Sequence, residues 1–288
     1  MSRPSRFAID ADGMTFPALS WGAGSRRRVL ALHGFLQCAE TYSGLASVLA
    51  AYDCEVVAFD QRGYAPGTAG RLADFRIGNF ADDALAVAQA LGWDRYHLLG
   101  FGMGAMQGWA AASRRRTRPD SLTAIRFPHP AAFAEGVRRF PAQRAAWERL
   151  EEQSPPERGA AAWLADGAAD FRAFLRRSGL PDRCVDSRVE RLSDPQVLAA
   201  AIAWHLVPLE DMAAVPPCPV PTLYVYSGGS AATVPQTADL CGRYVSGPFR
   251  RETIENDTVW TLETAPERLA PLILSHLESA DASCEAAQ

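Results

Sequence analysis

Chemistry in a chain without lysine must come from other groups, and the stretch Tyr96 to Gly108, YHLLGFGMGAMQG, holds the backbone pattern best suited to support it. Tyr96 to Leu99 is short and apolar, as a buried strand is. Gly100-Phe101-Gly102-Met103-Gly104 is a tight turn, and the small and apolar residues from Met103 onward suit a helix. A strand that turns straight into a helix lifts the turn residue above the sheet edge and aims the first helical N–H groups at whatever sits there. That turn residue is Gly102, which has no side chain to react. The missing lysine excludes Schiff-base and pyridoxal phosphate chemistry. Five histidines, His33, His97, His129, His205 and His276, are the candidate proton carriers near neutral pH. The six cysteines, Cys38, Cys54, Cys184, Cys218, Cys241 and Cys284, form no C-x-x-C pair and read as scattered free thiols with no metal site. A nucleophilic Cys38 would want a histidine base that the sequence does not clearly supply.

The elements that must position these residues follow from periodicity. Phe7 to Ser20 reads as a hairpin around Asp12-Gly13. Arg28 to Leu32 is a strand ending in His33-Gly34-Phe35, and Tyr42, Leu45, Val48 and Leu49 share one helical face. Glu55 to Phe59 is a further strand, followed by Asp60-Gln61-Arg62-Gly63-Tyr64 and by a helix marked by Ile77, Phe80, Ala84, Ala88 and Leu91. Leu122 to Phe127, Thr222 to Tyr226 and Phe249 to Ile254 complete the strands, and a helix over about 265–277 closes the domain. Strands alternating with long helices define an α/β fold, a mostly parallel sheet with helices on both faces. From Pro128 the chain carries Ala, Arg, Glu and scattered aromatics without a convincing strand, which predicts a helical insertion whose last helix contains Leu198, Ile202 and Leu206. The expected organisation is a core of 1–127 and 213–288 with a helical cap of 128–212. The tail ADASCEAAQ is expected to be disordered.

At 288 residues, with 48% hydrophobic and 22% charged residues, the chain can bury a sizeable core. All 29 residues counted as Lys+Arg are arginines, and the formal charge of -4 gives no general pull toward nucleic acid or an anionic membrane. Arg26-Arg27-Arg28 and Arg114-Arg115-Arg116 with Arg118 read as solvated charge. The N-terminus MSRPSRFAID lacks a hydrophobic leader, and no apolar run approaches membrane-spanning length, so a cytoplasmic location is expected.

Taken together, His33-Gly34-Phe35, Asp60-Gln61-Arg62-Gly63-Tyr64, Gly100-Phe101-Gly102-Met103-Gly104, Pro128-His129-Pro130 and Pro221-Thr222-Leu223-Tyr224-Val225-Tyr226 resemble, in that order, the α/β-hydrolases with a helical cap. That group includes epoxide hydrolases, haloalkane dehalogenases, esterases and lactonases. The glycine turn also satisfies the G-x-G-x-x-[GA] pattern of a dinucleotide site. Such a site wants an acidic residue at the end of the next strand, where this chain has Arg126-Phe127-Pro128, so no cofactor is expected.

The resemblance implies a nucleophile, an acid and a histidine in that chain order. It places Gly102 at the nucleophile position, Ser230 at the acid and Val259 at the histidine, so all three positions carry residues unable to do that chemistry. It also implies surviving oxyanion donors, the backbone N–H groups of Phe35 and Met103, and a bracing role for His33. The expected binding walls are Phe35, Leu36, Gln37, Gly102, Met103, Trp204, Ser230, Val259 and Trp260, with His129 polarising or deprotonating the substrate. On this basis the leading expectation is a cofactor-independent cyclisation, elimination or isomerisation of a small apolar metabolite, with a polyketide-type product as its most concrete case. A ligand-binding or scaffolding protein and a hydrolase with a relocated catalytic apparatus are the alternatives.

Overall fold

The computed structural model describes residues 3–69, 74–114, 119–151, 155–228, 230 and 232–286. Gly229 and the arginines Arg115, Arg116 and Arg118 lie outside the described residues. The Asp12-Gly13 turn joins β1 (Ser5–Ala11) to β2 (Met14–Trp21), with both turn residues at positive φ as a two-residue hairpin loop requires. The remaining strands are β3 (Arg27–Leu32), β4 (Cys54–Phe59), β5 (His97–Phe101), β6 (Ser121–Ile125), β7 (Thr222–Ser227) and β8 (Phe249–Ile254). They form one sheet in the order β1-β2-β4-β3-β5-β6-β7-β8. The hairpin pairs antiparallel with β4, and every pairing from β4 to β8 is parallel. This is the α/β-hydrolase fold.

Helices cover both faces because the central strands are apolar on both sides. Leu30, Leu32, Leu98 and Leu122 join one core with α2 (Ile77–Ala90) and α3 (Met103–Ala112). Val29, Ala31, Leu99 and Ile125 alternate with them and pack in a second core with α1 (Ser43–Ala50) and α12 (Pro266–Ala286). The period of two along each strand thus feeds two separate hydrophobic layers. The helix expected over 265–277 continues to Ala286, so most of the tail is ordered, anchored by Asp281, which accepts from Arg27 Nε at 2.7 Å and lies 3.3 Å from His97 Nε2. That contact also buries most of the Arg27 side chain, which the sequence places in solvent.

Between β6 and β7 the described chain is helical: α4 (Pro130–Arg139), α5 (Pro141–Glu151), α6 (Pro156–Arg177), α7 (Asp182–Arg191), α8 (Pro195–Ala203), a 3-10 turn (Trp204–Leu206) and α9 (Leu209–Ala213). Proline opens four of these helices, where its missing N–H costs nothing and its fixed φ suits the first turn. Leu206, expected in the last long helix, lies in the 3-10 turn instead. Buried Phe133, Phe171, Leu175, Val185 and Leu198 make the helical segment part of the larger core. Among the described residues no helix is long and apolar enough to cross a membrane.

Candidate active site

The turn between β5 and α3 sets the site. Gly102 has φ 55 and ψ -121, a conformation costly for any residue with a Cβ, and its N–H donates to the Ile125 carbonyl at 2.9 Å. Neighbouring glycines let the helix approach the sheet. A Cβ on Gly104 would lie 2.1 Å from the Leu32 carbonyl oxygen, and one on Gly100 would lie 2.5 Å from Ala105 Cα. The helix therefore begins against the strand edge, and the Met103 N–H, its first, has no acceptor among the described residues.

Opposite this turn runs the loop after β3. His33 is fully buried between two contacts: the Gln61 N–H donates to Nε2 at 3.2 Å, which leaves Nδ1 to donate to the Gly34 carbonyl at 3.0 Å. Burial pushes this histidine down to about 3, so it is a neutral brace. Gln37 accepts from the Gly34 N–H at 2.8 Å and donates to the Val259 carbonyl at 3.1 Å, tying the β3 loop to the segment after β8. Leu36 has φ 57 and is held by the Tyr64 hydroxyl, which accepts from its N–H at 2.8 Å. The Phe35 N–H has no acceptor among the described residues.

These loops and the helical segment enclose a cavity of about 320 Å³. Of the residues expected from sequence, Phe35, Leu36, Gln37, Gly102, Met103, Ser230, Val259 and Trp260 all line it. Phe127, Phe133, Trp147 and Phe174 make most of the far wall apolar and aromatic. Ser230 is a turn-closing residue, its hydroxyl accepting from the Ala232 and Thr233 N–H groups at 3.3 and 3.2 Å.

Two expected residues lie elsewhere. Trp204 stacks on His33 at 5.4 Å and donates to the Arg62 carbonyl at 3.0 Å, so it supports the loop from behind. His129 is fully buried outside the cavity wall, where Nδ1 accepts from the Ala131 N–H at 3.2 Å and Nε2 contacts the Pro216 carbonyl at 3.1 Å. Its ring stacks on Tyr244, and desolvation lowers it to about 3. It caps α4, and both ring nitrogens are committed, so it has none left for a substrate. Cys38 is also buried away from the cavity, with its thiol pushed up by desolvation.

Two further residues reach the cavity: His205, already among the candidate proton carriers in the sequence, and Arg126. His205 lines the cavity with its ring edge-on to Phe35 at 4.2 Å, and desolvation lowers it to about 4. Among the described residues no group hydrogen-bonds either ring nitrogen. Arg126, just beyond β6, also lines the cavity, and sequence reasoning used it only as evidence against a nucleotide. The signal was a charged residue closing an apolar strand, but its partner Asp257 is 131 residues away. Among the described residues no cluster of His, Cys, Asp or Glu could hold a metal ion.

The chain belongs to the alpha/beta hydrolase fold family, whose profile matches residues 27–255. Mouse epoxide hydrolase 4 is 30% identical over 293 aligned residues, covering 94% of this chain and 78% of the relative. Epoxide hydrolase 3 of Xenopus tropicalis is 25% identical over 243 residues, covering 77% of this chain and 64% of the relative. Among solved structures, an epoxide hydrolase of Bacillus megaterium in complex with an inhibitor superposes with a TM-score of 0.82 at 19% identity, covering 94% of this chain and 100% of the other. Epoxide hydrolase A of Mycobacterium thermoresistibile superposes with a TM-score of 0.70 at 19% identity, covering 96% and 98%. These relatives are named as hydrolases and point to an enzyme of that kind. They overturn the expectation of a non-hydrolytic cyclase, lyase or isomerase, and equally that of a pseudoenzyme that only binds a ligand.

Proposed function

We propose that this chain is a hydrolase of small, largely apolar molecules, with an epoxide or a similarly strained C–O bond as the group cleaved, and that water attacks directly. The observation that carries this reading is the shared cavity: His205 lines the same enclosed space as Gly102, Phe35 and Met103, and among the described residues its ring nitrogens have no partner and the Phe35 and Met103 N–H groups no acceptor. The named relatives support the reaction class. Gly102 offers no atom for a covalent intermediate, and Ser230 and Val259 offer neither a carboxylate nor an imidazole. In the proposed step a water oxygen forms a bond to the substrate carbon as the C–O bond breaks. His205 takes the water proton, the Phe35 and Met103 N–H groups hold the departing oxygen, and the proton then passes to that oxygen to give a diol. An imidazole lowered to about 4 is neutral at pH 7 and can accept a proton, but it is a weak base, so turnover is slow.

The test is a single turnover of an aryl epoxide in oxygen-labelled water, with wild type and His205→Phe. All added oxygen in the diol should carry the label, and His205→Phe should lose about a hundredfold or more in kcat. Because the neutral ring is required, kcat/KM should hold level at neutral pH and fall as pH drops through about 4. Unlabelled diol from the first turnover would expose a protein nucleophile. Full activity in His205→Phe would remove that residue from the mechanism.

A further inference from the structure

Among the described residues the cavity has one formally charged residue in its wall, and its placement is unusual. Arg126 sits at φ 75, a backbone region unfavourable for a residue with a long side chain, immediately after β6. Strain of this kind persists where the surroundings enforce it and clusters at functional sites. Three acceptors enforce it here, all on one nitrogen: the Ser227 hydroxyl at 2.7 Å, the Thr258 carbonyl at 3.0 Å and the Asp257 carboxylate meet Nη1. Asp257 is fully buried behind the guanidinium, while Arg126 retains 12% exposure in its side chain. Among the described residues Nε and Nη2 have no acceptor, yet neither is among the buried polar atoms left without a partner, so they border open space. The guanidinium plane also lies against the Phe101 ring, its carbon 5.9 Å from the ring centre.

We propose that Arg126 is a specificity-determining residue that anchors the carboxylate of a planar aromatic substrate through Nε and Nη2. This rests on the hydrolase reading for the reaction but not for the binding. A guanidinium edge presents two parallel N–H donors in the geometry of a carboxylate, and one face of the group is already fixed by Nη1. Such pre-organisation removes the entropy normally lost when a long side chain is immobilised on binding. The rest of the pocket selects the aromatic part. Phe127, Phe133, Trp147 and Phe174 supply flat apolar walls, and among the described residues no carboxylate lines the cavity to repel an anion. Asp257 offsets the Arg126 charge from behind without competing for the two free donors.

Isothermal titration at pH 7 with naphthoate and its neutral isostere naphthamide tests the anchor without requiring catalysis. Wild type should bind naphthoate at least about tenfold more tightly than naphthamide, the range for a charge-assisted hydrogen bond. Arg126→Gln should abolish that preference while retaining naphthamide binding. Because Arg126→Gln strands the buried Asp257 carboxylate, the double variant Arg126→Gln/Asp257→Asn is measured beside it as a neutral pair. Equal binding of the two ligands by wild type, or no binding of naphthoate, overturns the proposal, as does a preference that survives in the double variant. Absence of epoxide turnover by wild type with the naphthoate preference present leaves the anchor standing without the hydrolase reading, and wild-type epoxide turnover without that preference leaves only the hydrolase reading.

Discussion

Replacing Gly102 by alanine separates backbone strain from steric fit at the centre of the site. A Cβ built on Gly102 meets nothing nearer than Gly34 Cα at 3.8 Å, an ordinary contact, so alanine fits in space. It does not fit in conformation: φ 55 with ψ -121 should cost about 1–3 kcal/mol for a residue with a Cβ. Alanine also stiffens the unfolded chain, which offsets about 0.4–1 kcal/mol of that cost. The net expectation is a loss of about 1–2 kcal/mol, or a drop in Tm of a few degrees for a domain of this size. Gly104→Ala is the contrast, because its Cβ would lie 2.1 Å from the Leu32 carbonyl oxygen and 2.5 Å from that of His33. Backbone cannot move aside as a side chain can, so Gly104→Ala should exceed about 4 kcal/mol and fold poorly. Differential scanning calorimetry on both variants and wild type reads the ranking. A Gly102→Ala protein as damaged as Gly104→Ala, or one more stable than wild type, would show that strain and space have been assigned to the wrong glycines.

The stability profile should fall on acidification, because His33 and His129 are lowered by burial to about 3 and His205 and His276 to about 4, all below the ordinary 6.5. Unfolding lets each take up a proton, so their contribution is full above pH 6.5 and is lost as pH drops toward those values. His276→Gln should flatten the slope of Tm against pH between about 6.5 and 4, read by thermal melts at stepped pH; an unchanged slope would mean that this histidine is not held neutral. Asp83 accepts from Arg62 Nε and Nη2 at 2.7 and 2.6 Å in a largely buried pair, so Asp83→Ala strands the guanidinium and should cost about 3–5 kcal/mol in urea unfolding. A loss below about 1 kcal/mol would place that pair in effective contact with water.

The hydrolase reading changes what Gly102 means. In a chain that relies on a protein nucleophile, glycine at that turn removes the reacting atom; in a direct attack by water it vacates the space the water needs. The loop from His33 to Cys38 is braced by buried contacts, since the Gln37 amide links Gly34 to Val259 and fixes the distance across the cavity mouth. The floor of the pocket is thus built from backbone groups whose positions depend on buried hydrogen bonds and little on their own side chains.

Much of this protein is local in origin and therefore legible in the sequence. Period-two apolar strands, the Asp12-Gly13 hairpin and the glycines around Met103 determine the sheet, its antiparallel edge and the strand-to-helix turn, because each depends on neighbours within a few residues. The loop residues Phe35 to Gln37 and the pair Val259-Trp260 reach the cavity for the related reason that both segments follow strands, and strands of a parallel sheet end on one edge. What tertiary structure decided is the direction of side chains whose partners are distant in the chain. His129 looks available until the Pro216 carbonyl and Tyr244 ring close on it, and Trp204 turns to His33 while its neighbour His205 takes the cavity. Arg126 is fixed in place at the cavity wall only when Asp257 and Thr258 arrive from beyond β8. Backbone conformation is set by short-range sterics, whereas the burial and pairing of a polar side chain depend on which remote groups can satisfy it, and only the folded chain brings those groups together.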